Sequence, residues 1–451
     1  MNIRQHLTGY YVLFKPLLFG GILLIGLGCG RSTQEPTPNS IPPVISTTVV
    51  SATTTAPTSP TTAVSWFTIL NPIRVNTTTG WISEITKMIL TSDGGSLIIG
   101  SASDNTSFSD DKDIQVCKLQ ANGKLAWRRL IGSTKEDNAN DVVQTRDGNY
   151  VIVGSGRNGR DKKKSLGYVD FWAIKLSATG ELLWENSYGY EIQDEARCVV
   201  ELSNGELLIG GTTYNLSSSA SLGIYQGLLV RTDDQGNQLQ KLDLDWPPYW
   251  LFLNSDNTVD LFIQEPKLIR LTRINNQLKI LSNKSSPSSG RQIWSVIRTK
   301  DGSYMILTDG IELLKPSSGI DVELTRLTGE LTTVWKKVYG GTGTDYGWKM
   351  AETNDGFIYI AGQTSSKDGD VKTNFGMSDV WLLKINSTGQ ILESKTYGGS
   401  ESDEGLAGVP DGNEGVLIAG NTNSKDNHFK GWITTGTVGG LHGVALRVKT
   451  N

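Results

Sequence analysis

The sequence predicts an all-β fold, a seven-bladed β-propeller made of four-stranded antiparallel blades. A short turn rich in Asp, Asn and Gly recurs along most of the chain, and amphipathic or apolar strands flank each copy. The 451 residues include 51 glycines, 12 tryptophans and 14 tyrosines against 20% charged residues, which is typical of short aromatic strands joined by tight turns. Recurrence at a fixed period indicates a repeat architecture, and closed β architectures often use several hundred residues as one domain.

The recurring turn sets the length of the repeat. Between residues 93 and 411 its copies are spaced by about 53 residues on average, which is too long for most solenoid repeats and fits a four-stranded propeller blade. Asn, Asp and Gly tolerate positive φ, so each copy predicts a two-residue hairpin loop. The seven copies are Asp93-Gly94, Asp147-Gly148, Asn204-Gly205, Asp256-Asn257, Asp301-Gly302, Asp355-Gly356 and Asp411-Gly412.

The sixth repeat shows the four strands of a blade most clearly. Strand A is predicted at 348–353, strand B at 357–361, strand C at 380–385 and strand D from 391 towards 397. The A–B and C–D connections are tight, whereas the D–A and B–C connections are longer. Propeller geometry places those longer loops on the same end of the ring. Repeats four and five are degenerate, with weak C and D strands.

The two ends of the repeat region predict how the ring closes. Residues 443–448 match strand C of the seventh repeat, and no strand D follows them. Residues 64–69 precede the first repeat, and their Trp66 resembles Trp127 and Trp184 of the predicted D strands. We therefore expect the N-terminal strand to complete the last blade, which leaves no long unpaired edge.

The first thirty residues differ from the rest of the chain. Arg4 and Lys15 precede an apolar run at 16–28, which is shorter than the roughly 20 residues needed to span a bilayer and fits a secretory signal. The run ends at Gly28-Cys29-Gly30 and resembles the lipobox of bacterial lipoproteins, although Gly26 stands where that pattern usually has Leu.

The lipobox resemblance implies that residues 1–28 are a signal peptide and that Cys29 is lipidated as the mature N-terminus, so that a lipid bilayer is one partner. The residue after Cys29 is Gly30 rather than Asp. By the sorting rule of such lipoproteins, this implies the outer membrane, on its periplasmic or its surface side. The alternative is an ordinary cleaved signal followed by a chance cysteine.

Residues 29–63 are predicted to form a disordered tether. They are rich in Ser, Thr and Pro, contain no aromatic residue, and carry only Arg31 and Glu35 as charges. Such a segment cannot bury enough apolar surface to offset its ordering entropy. In polyproline geometry, at about 3.1 Å per residue, it would reach up to roughly 90 Å. The propeller is then assigned to residues 64–451.

The repeat resembles a known family. Its pattern is Asp-Gly-x-[Tyr/Phe] before apolar positions and a Gly, then apolar-Trp-apolar-apolar-Lys-apolar, then Tyr-Gly-Gly. This is similar to the repeats of secreted bacterial β-propellers of the delta-60 or SBBP kind. The resemblance covers nearly everything after the tether, least well in repeats four and five. It implies this fold and export, and it implies no reaction.

A second motif, Gly-x-Leu-x-Trp, accompanies strand D. It resembles the tryptophan-docking repeat of quinoprotein dehydrogenases and of the propeller lipoprotein of outer-membrane assembly, although Lys-Leu stands where that repeat has Ala-x-Asp. In that family the tryptophans dock neighbouring blades and take no part in chemistry. The resemblance therefore implies a packing role for Trp127, Trp184 and Trp335.

Acidic residues recur in the D–A loops, at nearly the same distance before the turn in four repeats. Equivalent blade positions lie at equal radius and height, so these carboxylates are predicted to form a partial ring at the channel mouth. One interpretation is a site for a cation or a polar ligand. The other is that each Asp accepts backbone N–H bonds and fixes the turn into strand A. The four residues are Asp137, Asp194, Asp345 and Asp403.

A second acidic group lies in the B–C loop of the sixth repeat, where Asp368, Asp370 and Asp379 are candidate calcium ligands. Calcium takes about six to eight oxygen ligands, and an Asp-x-Asp loop supplies several. The spacing differs from that of an EF-hand, and acidic surface loops are common, so an ordinary solvated loop is the alternative. No other cofactor is expected.

Catalytic side chains are scarce. After the signal the chain has two histidines, His428 and His442, and it contains no Gly-x-Ser-x-Gly, His-Glu-x-x-His or Walker motif. We therefore expect no catalytic residues and a binding or interaction scaffold that uses the long-loop end, because variable loops on a rigid scaffold carry function. The alternative is a polysaccharide-directed hydrolase or lyase that uses carboxylates at the channel mouth.

Charge and cysteine content limit the partners. A net charge of −4 gives no reason to expect nucleic acid. We expect a monomer in the bacterial cell envelope that binds an unknown protein or glycan. Whether Cys117 and Cys198 form a disulfide stays open at this point.

Overall fold

The computed structural model describes residues 64–70, 82–103, 112–132, 136–156, 169–190, 193–215, 224–310, 319–411, 415–430 and 442–449. The predicted signal peptide at 1–28, the lipidation site Cys29 and the tether at 29–63 lie outside the described residues. Nowhere in the described ranges does a helix have the length and apolar character needed to cross a membrane.

The described residues form 28 β-strands and one 3-10 helix, at Asn427–Phe429. In chain order the strands are β1 (Val64–Ile69), β2 (Ile82–Leu90), β3 (Ser96–Ser103), β4 (Asp113–Leu119), β5 (Leu125–Ile131), β6 (Asp137–Gln144), β7 (Tyr150–Gly156), β8 (Asp170–Leu176), β9 (Leu182–Tyr188), β10 (Gln193–Glu201), β11 (Leu207–Asn215), β12 (Ile224–Thr232), β13 (Gln238–Leu244), β14 (Pro248–Leu253), β15 (Val259–Gln264), β16 (Leu268–Ile274), β17 (Ile280–Pro287), β18 (Ile293–Arg298), β19 (Tyr304–Gly310), β20 (Asp321–Leu327), β21 (Thr333–Tyr339), β22 (Asp345–Glu352), β23 (Ile358–Thr364), β24 (Asp379–Ile385), β25 (Ile391–Tyr397), β26 (Asp403–Pro410), β27 (Gly415–Thr422) and β28 (His442–Lys449).

These strands form seven four-stranded antiparallel sheets, which confirms the predicted seven-bladed β-propeller. In blades 1 to 6 the strand order follows the chain, from β2-β3-β4-β5 in blade 1 to β22-β23-β24-β25 in blade 6. Strand A therefore lies at one edge of each blade and strand D at the other. Strands A of neighbouring blades contact one another at six of the seven junctions, the exception being that of blades 4 and 5, which places them around the axis of the ring.

The ring closes through the N-terminal strand, as predicted. Blade 7 has the order β1-β28-β27-β26, so β1 supplies its strand D. β1 pairs antiparallel with β28, with Thr68 opposite Ala445. The Thr68 hydroxyl also donates a hydrogen bond of 2.6 Å to the Gly123 carbonyl oxygen in the C–D turn of blade 1. One strand from the start of the propeller thus links its last blade to its first.

Apolar side chains of strands B and C fill the spaces between blades. Every residue of β7 and β8 in blade 2 is buried. Between blades 1 and 2, Ile99 and Val116 share one buried cluster with Val142 and Ile152. Both faces of a blade meet a neighbouring blade, and strands that are buried on both faces read as continuous apolar runs. This explains why strands B and C carried the clearest signal in the sequence.

The A–B turns differ from the prediction, because their loops have three residues rather than two. In blade 1 the Thr91 N–H donates to Gly95 O at 3.0 Å, and the Gly94 N–H donates to Thr91 O at 2.9 Å. Within this turn only Gly94 has a positive φ, of 79°. The Asp93 carboxylate instead accepts hydrogen bonds from the Gly95 N–H and the Thr91 hydroxyl. Such a loop is a type I turn followed by a residue in the left-handed region.

The Asp of the A–B turn and the Lys of strand C form an ion pair in the same blade. Lys118 Nζ lies 2.8 Å from an Asp93 oxygen, and Lys175 Nζ lies 2.8 Å from an Asp147 oxygen. The Lys118 side chain is only 3% exposed. Burial raises the pKa of Asp93, but hydrogen bonds from Lys118 and from a threonine hydroxyl outweigh it and lower that pKa to about 2. This pairing accounts for the lysine in the strand C pattern.

The blade-docking role of the strand D tryptophans is confirmed. Trp127 of β5 donates from Nε1 to Ala178 O, 3.0 Å away in the C–D turn of blade 2. Gly180 of that turn has a φ of 81°, and a Cβ on it would lie 2.8 Å from the Trp127 ring. Glycine is therefore required both by the turn and by the ring that covers it. Trp184 and Trp335 make the same bond to the next blade, to Asp234 O and Ser387 O.

Candidate binding site at the axial channel

Each strand A carries a β-bulge at the same position. In all seven blades its register against strand B shifts by one residue. A bulge leaves one residue out of the ladder and re-aims its side chain. Because strands A surround the axis, these seven side chains form a set that we call the bulge ring, and all of them are half-buried. They are Thr86, Asn140, Arg197, Tyr249, Trp294, Trp348 and Leu406.

The repeat glycine late in strand B makes room for the bulge. In blade 6, Gly362 of β23 pairs with Gly347 beside the bulge, and a Cβ on Gly362 would lie 1.8 Å from the Tyr346 carbonyl oxygen. In blade 2, a Cβ on Gly154 would lie 1.8 Å from the Asn138 carbonyl oxygen. A larger residue would collide with the backbone of strand A. The glycine of the strand B pattern is thus a requirement of the bulge.

One side of the bulge ring is polar. Asn140 Nδ2 donates to Ala196 O at 2.8 Å and to Glu195 Oε1 at 3.0 Å, both in blade 3. The Arg197 guanidinium is held by the other Glu195 oxygen at 2.9 Å and lies 5.0 Å from the centroid of the Tyr249 ring in blade 4. Neighbouring members of the ring are therefore connected across the blade junctions.

The other side is aromatic. Trp294 and Trp348 meet edge to face with centroids 4.8 Å apart, and Tyr346 stacks on Trp348 with centroids 5.1 Å apart. We call Tyr249, Trp294, Tyr346 and Trp348 the aromatic arc; all four are half-buried, so part of each ring meets solvent. Trp294 Nε1 donates to Asp309 Oδ1 at 2.6 Å, whereas Trp348 Nε1 is buried and has no hydrogen-bond partner among the described residues. What the arc offers to a ligand is therefore ring surface.

Charged side chains lie next to the bulge ring. Lys87, Asp141 and Lys349 each follow the bulge residue of their strand. Lys87 Nζ pairs with Asp141 across the junction of blades 1 and 2. Lys349 of blade 6 interacts electrostatically with both, although blade 7 lies between blades 6 and 1. Loss of hydration, and then repulsion from Lys87, lowers the pKa of Lys349 to about 8 against the attraction of Asp141.

The four predicted ring aspartates occupy the same place in their blades, three residues before the bulge residue, and each is at most 1% exposed. Asp345 accepts hydrogen bonds from the Gly341 N–H at 2.8 Å, from Ser366 Oγ at 2.7 Å and from Thr364 Oγ1. Asp403 accepts the same three from Gly399, Ser424 and Thr422. These bonds are the ones expected if each Asp fixes the turn that leads into its strand A. A ligand-binding role for Asp137, Asp194, Asp345 and Asp403 stays a prediction.

A second Asp, at the start of strand C, faces these residues across the blade junctions. At the junction of blades 6 and 7, a Cβ on Gly398 would lie 2.0 Å from an Asp379 oxygen and 2.9 Å from an Asp403 oxygen. Burial, with repulsion from Asp403, raises the pKa of Asp379 to about 6. Burial, with repulsion from Asp170, likewise raises the pKa of Asp194 to about 6. These junctions therefore hold carboxyls that retain a proton more readily than usual.

The three candidate calcium ligands bind backbone of the loops around them. Asp368 and Asp370 accept N–H bonds of 2.7 and 3.1 Å from the preceding D–A loop, and Asp379 accepts one of 2.6 Å from Phe375. In the described ranges, no three or more His, Cys, Asp or Glu side chains are arranged to hold a metal ion. Calcium binding at Asp368, Asp370 and Asp379 stays a prediction.

The remaining reactive side chains are packed into the blades. His428 contacts the rings of Phe375 and Tyr397, and burial lowers its pKa, as it does that of His442. Cys117 and Cys198 are buried free thiols in blades 1 and 3, so no disulfide joins them. The two thiols act as small apolar groups of the core.

The sequence does not predict the bulge ring. It places the start of strand A of blade 6 at Trp348, whereas β22 begins at Asp345 and Trp348 is the bulge residue. The available signal is a pair of features: one residue too many for strict alternation in strand A, and the repeat glycine in strand B that faces it. The sequence does not indicate that Lys349 interacts with Lys87 and Asp141, because these two residues belong to other blades.

No protein-family model matches the chain, and no curated protein matches it. Solved structures do match. Virginiamycin B lyase from Staphylococcus aureus is 12% identical over 84% of this chain and 99% of that chain, with a TM-score of 0.48. The Pan2 WD40 domain of Neurospora crassa is 9% identical over 82% and 90%, with a TM-score of 0.48. BamB from Moraxella catarrhalis is 12% identical over 84% and 97%, with a TM-score of 0.40. At these identities the likeness concerns the fold alone.

Proposed function

We propose that this chain is an exported, membrane-anchored β-propeller that serves as a non-catalytic binding or interaction scaffold and holds its ligand at the D–A and B–C end of the ring. The bulge ring is the observation that carries the proposal. The same backbone insertion occurs in all seven blades, while the side chains range from Thr and Leu to Arg and Trp. A constant scaffold that presents varied side chains is typical of a recognition surface.

The composition of the ring supports this proposal. The aromatic arc supplies large rigid contact area, and Trp, Tyr and Arg are the residue types that dominate binding energy at interfaces. Asn140, Glu195 and Arg197 add hydrogen-bonding groups on the opposite side. Apolar and aromatic rings with a small number of placed polar groups are typical of ligand sites. We propose an unknown protein or glycan as the partner.

The anchor and the tether complete the proposal. A lipid on Cys29 and an extended segment at 29–63 would hold the propeller close to the outer membrane. Metabolic labelling with a palmitate analogue tests it. We expect label on the full-length protein and none on the Cys29→Ser variant. Label that persists in the variant would contradict the anchor.

The hydrolase or lyase alternative needs carboxylates that reach a substrate at the channel mouth. Asp345 and Asp403 are 0% exposed, and both oxygens of each accept hydrogen bonds from the loops around them. This geometry gives the alternative no support, and we propose no reaction.

The binding proposal is tested with the full-length protein on peptide and glycan arrays. We expect wild-type signals that fall at least about tenfold in Trp294→Ala and in Trp348→Ala, because a buried aromatic anchor contributes about 2 kcal/mol or more. Leu392→Ala is the control, since Leu392 is 46% exposed at the start of strand D in blade 6, beside the C–D turn and so at the opposite end of the ring. Unchanged signals in both tryptophan variants, or an equal loss in the control, would contradict the proposal.

A further inference from the structure

A second set of β-bulges lies on the outer strands. In all seven blades the register of strand D against strand C shifts by one residue, so the second residue of strand D has no partner in the ladder. In blades 1 to 6 this position lies beside the C–D turn. We call the end of the ring that carries the A–B and C–D turns the short-turn end. From blade 1 to blade 7 the unpaired residues are Ala126, Leu183, Leu239, Leu281, Val334, Leu392 and Ser65.

Five of these residues are large, apolar and 46–52% exposed, and they belong to the consecutive blades 2 to 6. We call them the outer rim: Leu183, Leu239, Leu281, Val334 and Leu392. The bulge itself does not require a large apolar residue, because Ser65 and Ala126 occupy it in the other two blades. Seven of the fourteen exposed large apolar residues in the described ranges are the first or second residue of a strand D. Such a concentration marks an interaction surface.

Half-buried tryptophans adjoin the outer rim. Trp184 and Trp335 directly follow rim residues in strand D, and Trp127 holds the same place in blade 1. Each indole N–H is bound to the next blade, but part of each ring meets solvent. Polar C–D turns lie beside them. Aliphatic side chains, tryptophan rings and polar groups together suit the boundary between the headgroups and the acyl chains of a bilayer.

The shape of the rim and the path of the chain favour a bilayer over a globular partner. Equivalent blade positions lie at equal radius and height, so the outer rim lies in one plane across five blades, and a flat surface meets all of it at once. The chain also enters the propeller at this end, because Val64 is the first residue of strand D in blade 7. An anchored tether that joins the propeller there raises the local concentration of lipid at the short-turn end.

We propose that the outer rim rests on the lipid bilayer, so that the short-turn end faces the membrane and the long-loop end faces away from it. This rests on the proposed function, from which it takes the anchor and the tether, and it adds the orientation of the propeller. Contact with lipid removes the exposed aliphatic side chains of the rim from water. The ligand-binding end stays open while the rim is in contact.

Fluorescence quenching by lipid tests the orientation. The full-length protein is purified from the membranes of the bacterium that expresses it and is placed in phosphatidylcholine vesicles, with and without a nitroxide on the acyl chain near the headgroup. Cys117 and Cys198 are buried, so a thiol-reactive fluorophore reports an introduced surface cysteine, and the wild type gives the background. We expect the nitroxide to lower the fluorescence of labelled Leu239→Cys at least about twofold, because an interfacial side chain enters the headgroup and acyl boundary.

Tyr225→Cys is the matched control. Tyr225 is 57% exposed in the same blade, but it lies at the start of strand C and therefore at the long-loop end. Its label should not be quenched. Equal quenching at the two positions, or none at Leu239→Cys, would overturn the proposed orientation.

A rim variant separates apolar contact from simple proximity to the membrane. Leu183→Ser, Leu281→Ser and Val334→Ser are combined with Leu239→Cys; serine is the residue that blade 7 has at this bulge, and circular dichroism checks the fold. Quenching should fall to the level of Tyr225→Cys while the protein still floats with the vesicles through its anchor. Quenching as strong as in Leu239→Cys alone would show that the rim does not carry the contact and would overturn the proposal.

The remaining outcomes distinguish this proposal from the proposed function. Protein that floats with the vesicles without quenching at Leu239→Cys overturns the docking and leaves the anchor standing. Fluorescence at Leu239→Cys that depends on protein concentration and not on the nitroxide assigns the rim to a second copy of the chain and overturns the bilayer as its partner. Protein that does not float overturns the anchor and the docking together. Binding at the long-loop end is decided separately, by the array signals of Trp294→Ala and Trp348→Ala.

Discussion

Asp379 of β24 faces Asp403 of β26 across the junction of blades 6 and 7, and repulsion from Asp403 adds to burial in raising the pKa of Asp379 to about 6. The folded protein therefore holds this proton more tightly than the unfolded chain, in which an Asp has a pKa of about 3.9. The contribution of such a group to stability is fully present below pH 4 and is lost as the pH rises through 6. Asp194 contributes in the same sense.

The first prediction concerns the pH dependence of unfolding. Asp379→Asn removes one of these titrating groups, so the fall in Tm between pH 4 and pH 6 should be shallower in the variant than in the wild type. Thermal unfolding at half-unit pH steps measures this slope. An identical slope in the two proteins would show that Asp379 does not titrate in this window.

The second prediction concerns the ion pair of Lys118 and Asp93. Asp93→Asn leaves the buried ammonium without its counter-charge and should lower the free energy of unfolding by about 1–3 kcal/mol. Lys118→Met fills the same space without a charge and should cost less. Because the pKa of Asp93 is lowered to about 2, its contribution is present above pH 4 and lost as the pH falls through 2. Urea unfolding of both variants at pH 7 measures the difference, and a larger loss in Lys118→Met would contradict it.

The third prediction concerns the glycine opposite the bulge. A Cβ on Gly362 would collide with a backbone oxygen at 1.8 Å, so Gly362→Ala should cost about 3 kcal/mol and displace the Trp348 ring. Gly356→Ala is the control: Gly356 has a φ of 85° and nothing within 4 Å of a Cβ, so only the backbone conformation is penalised, by about 1 kcal/mol. Chemical unfolding followed by tryptophan fluorescence reports both effects. Equal losses in the two variants would refute the link between this glycine and the bulge.

The parts of the fold that depend on local chemistry were predictable from the sequence. Seven Asp/Asn/Gly turns indicated seven blades, and the strands at the two ends indicated the closure. Blades 4 and 5 gave weaker signals for a physical reason: Leu278 and Leu331, at φ of 58° and 59°, occupy the C–D turn position that glycine holds in other blades. These leucines are 4% and 2% exposed, so their burial offsets the backbone strain. The sequence of these two blades therefore lacks the glycine that would indicate the turn.

The candidate site was predictable only in its location at the long-loop end. The sequence singled out the acidic residues of the D–A loops, such as Asp345, because they recur. The side chains of the bulge ring do not recur, and only their backbone position does. The electrostatic interaction of Lys349 with Lys87 depends on the closure of the ring, because blades 6 and 1 are far apart in the sequence. No pattern within one repeat indicates it.

The pairing of β1 with β28 has a consequence for how the protein folds during synthesis. Blades 1 to 6 are each built from one continuous stretch of chain, so each can form as soon as its strands are available. β1 is made before all of them and must wait for β28, and pairings between such distant segments form slowly. Until then β1 and β27 expose unpaired edges, which are the usual sites of aggregation. A chain interrupted before β28 would therefore keep six blades and an open seam, a form that proteases and chaperones can distinguish from the finished ring.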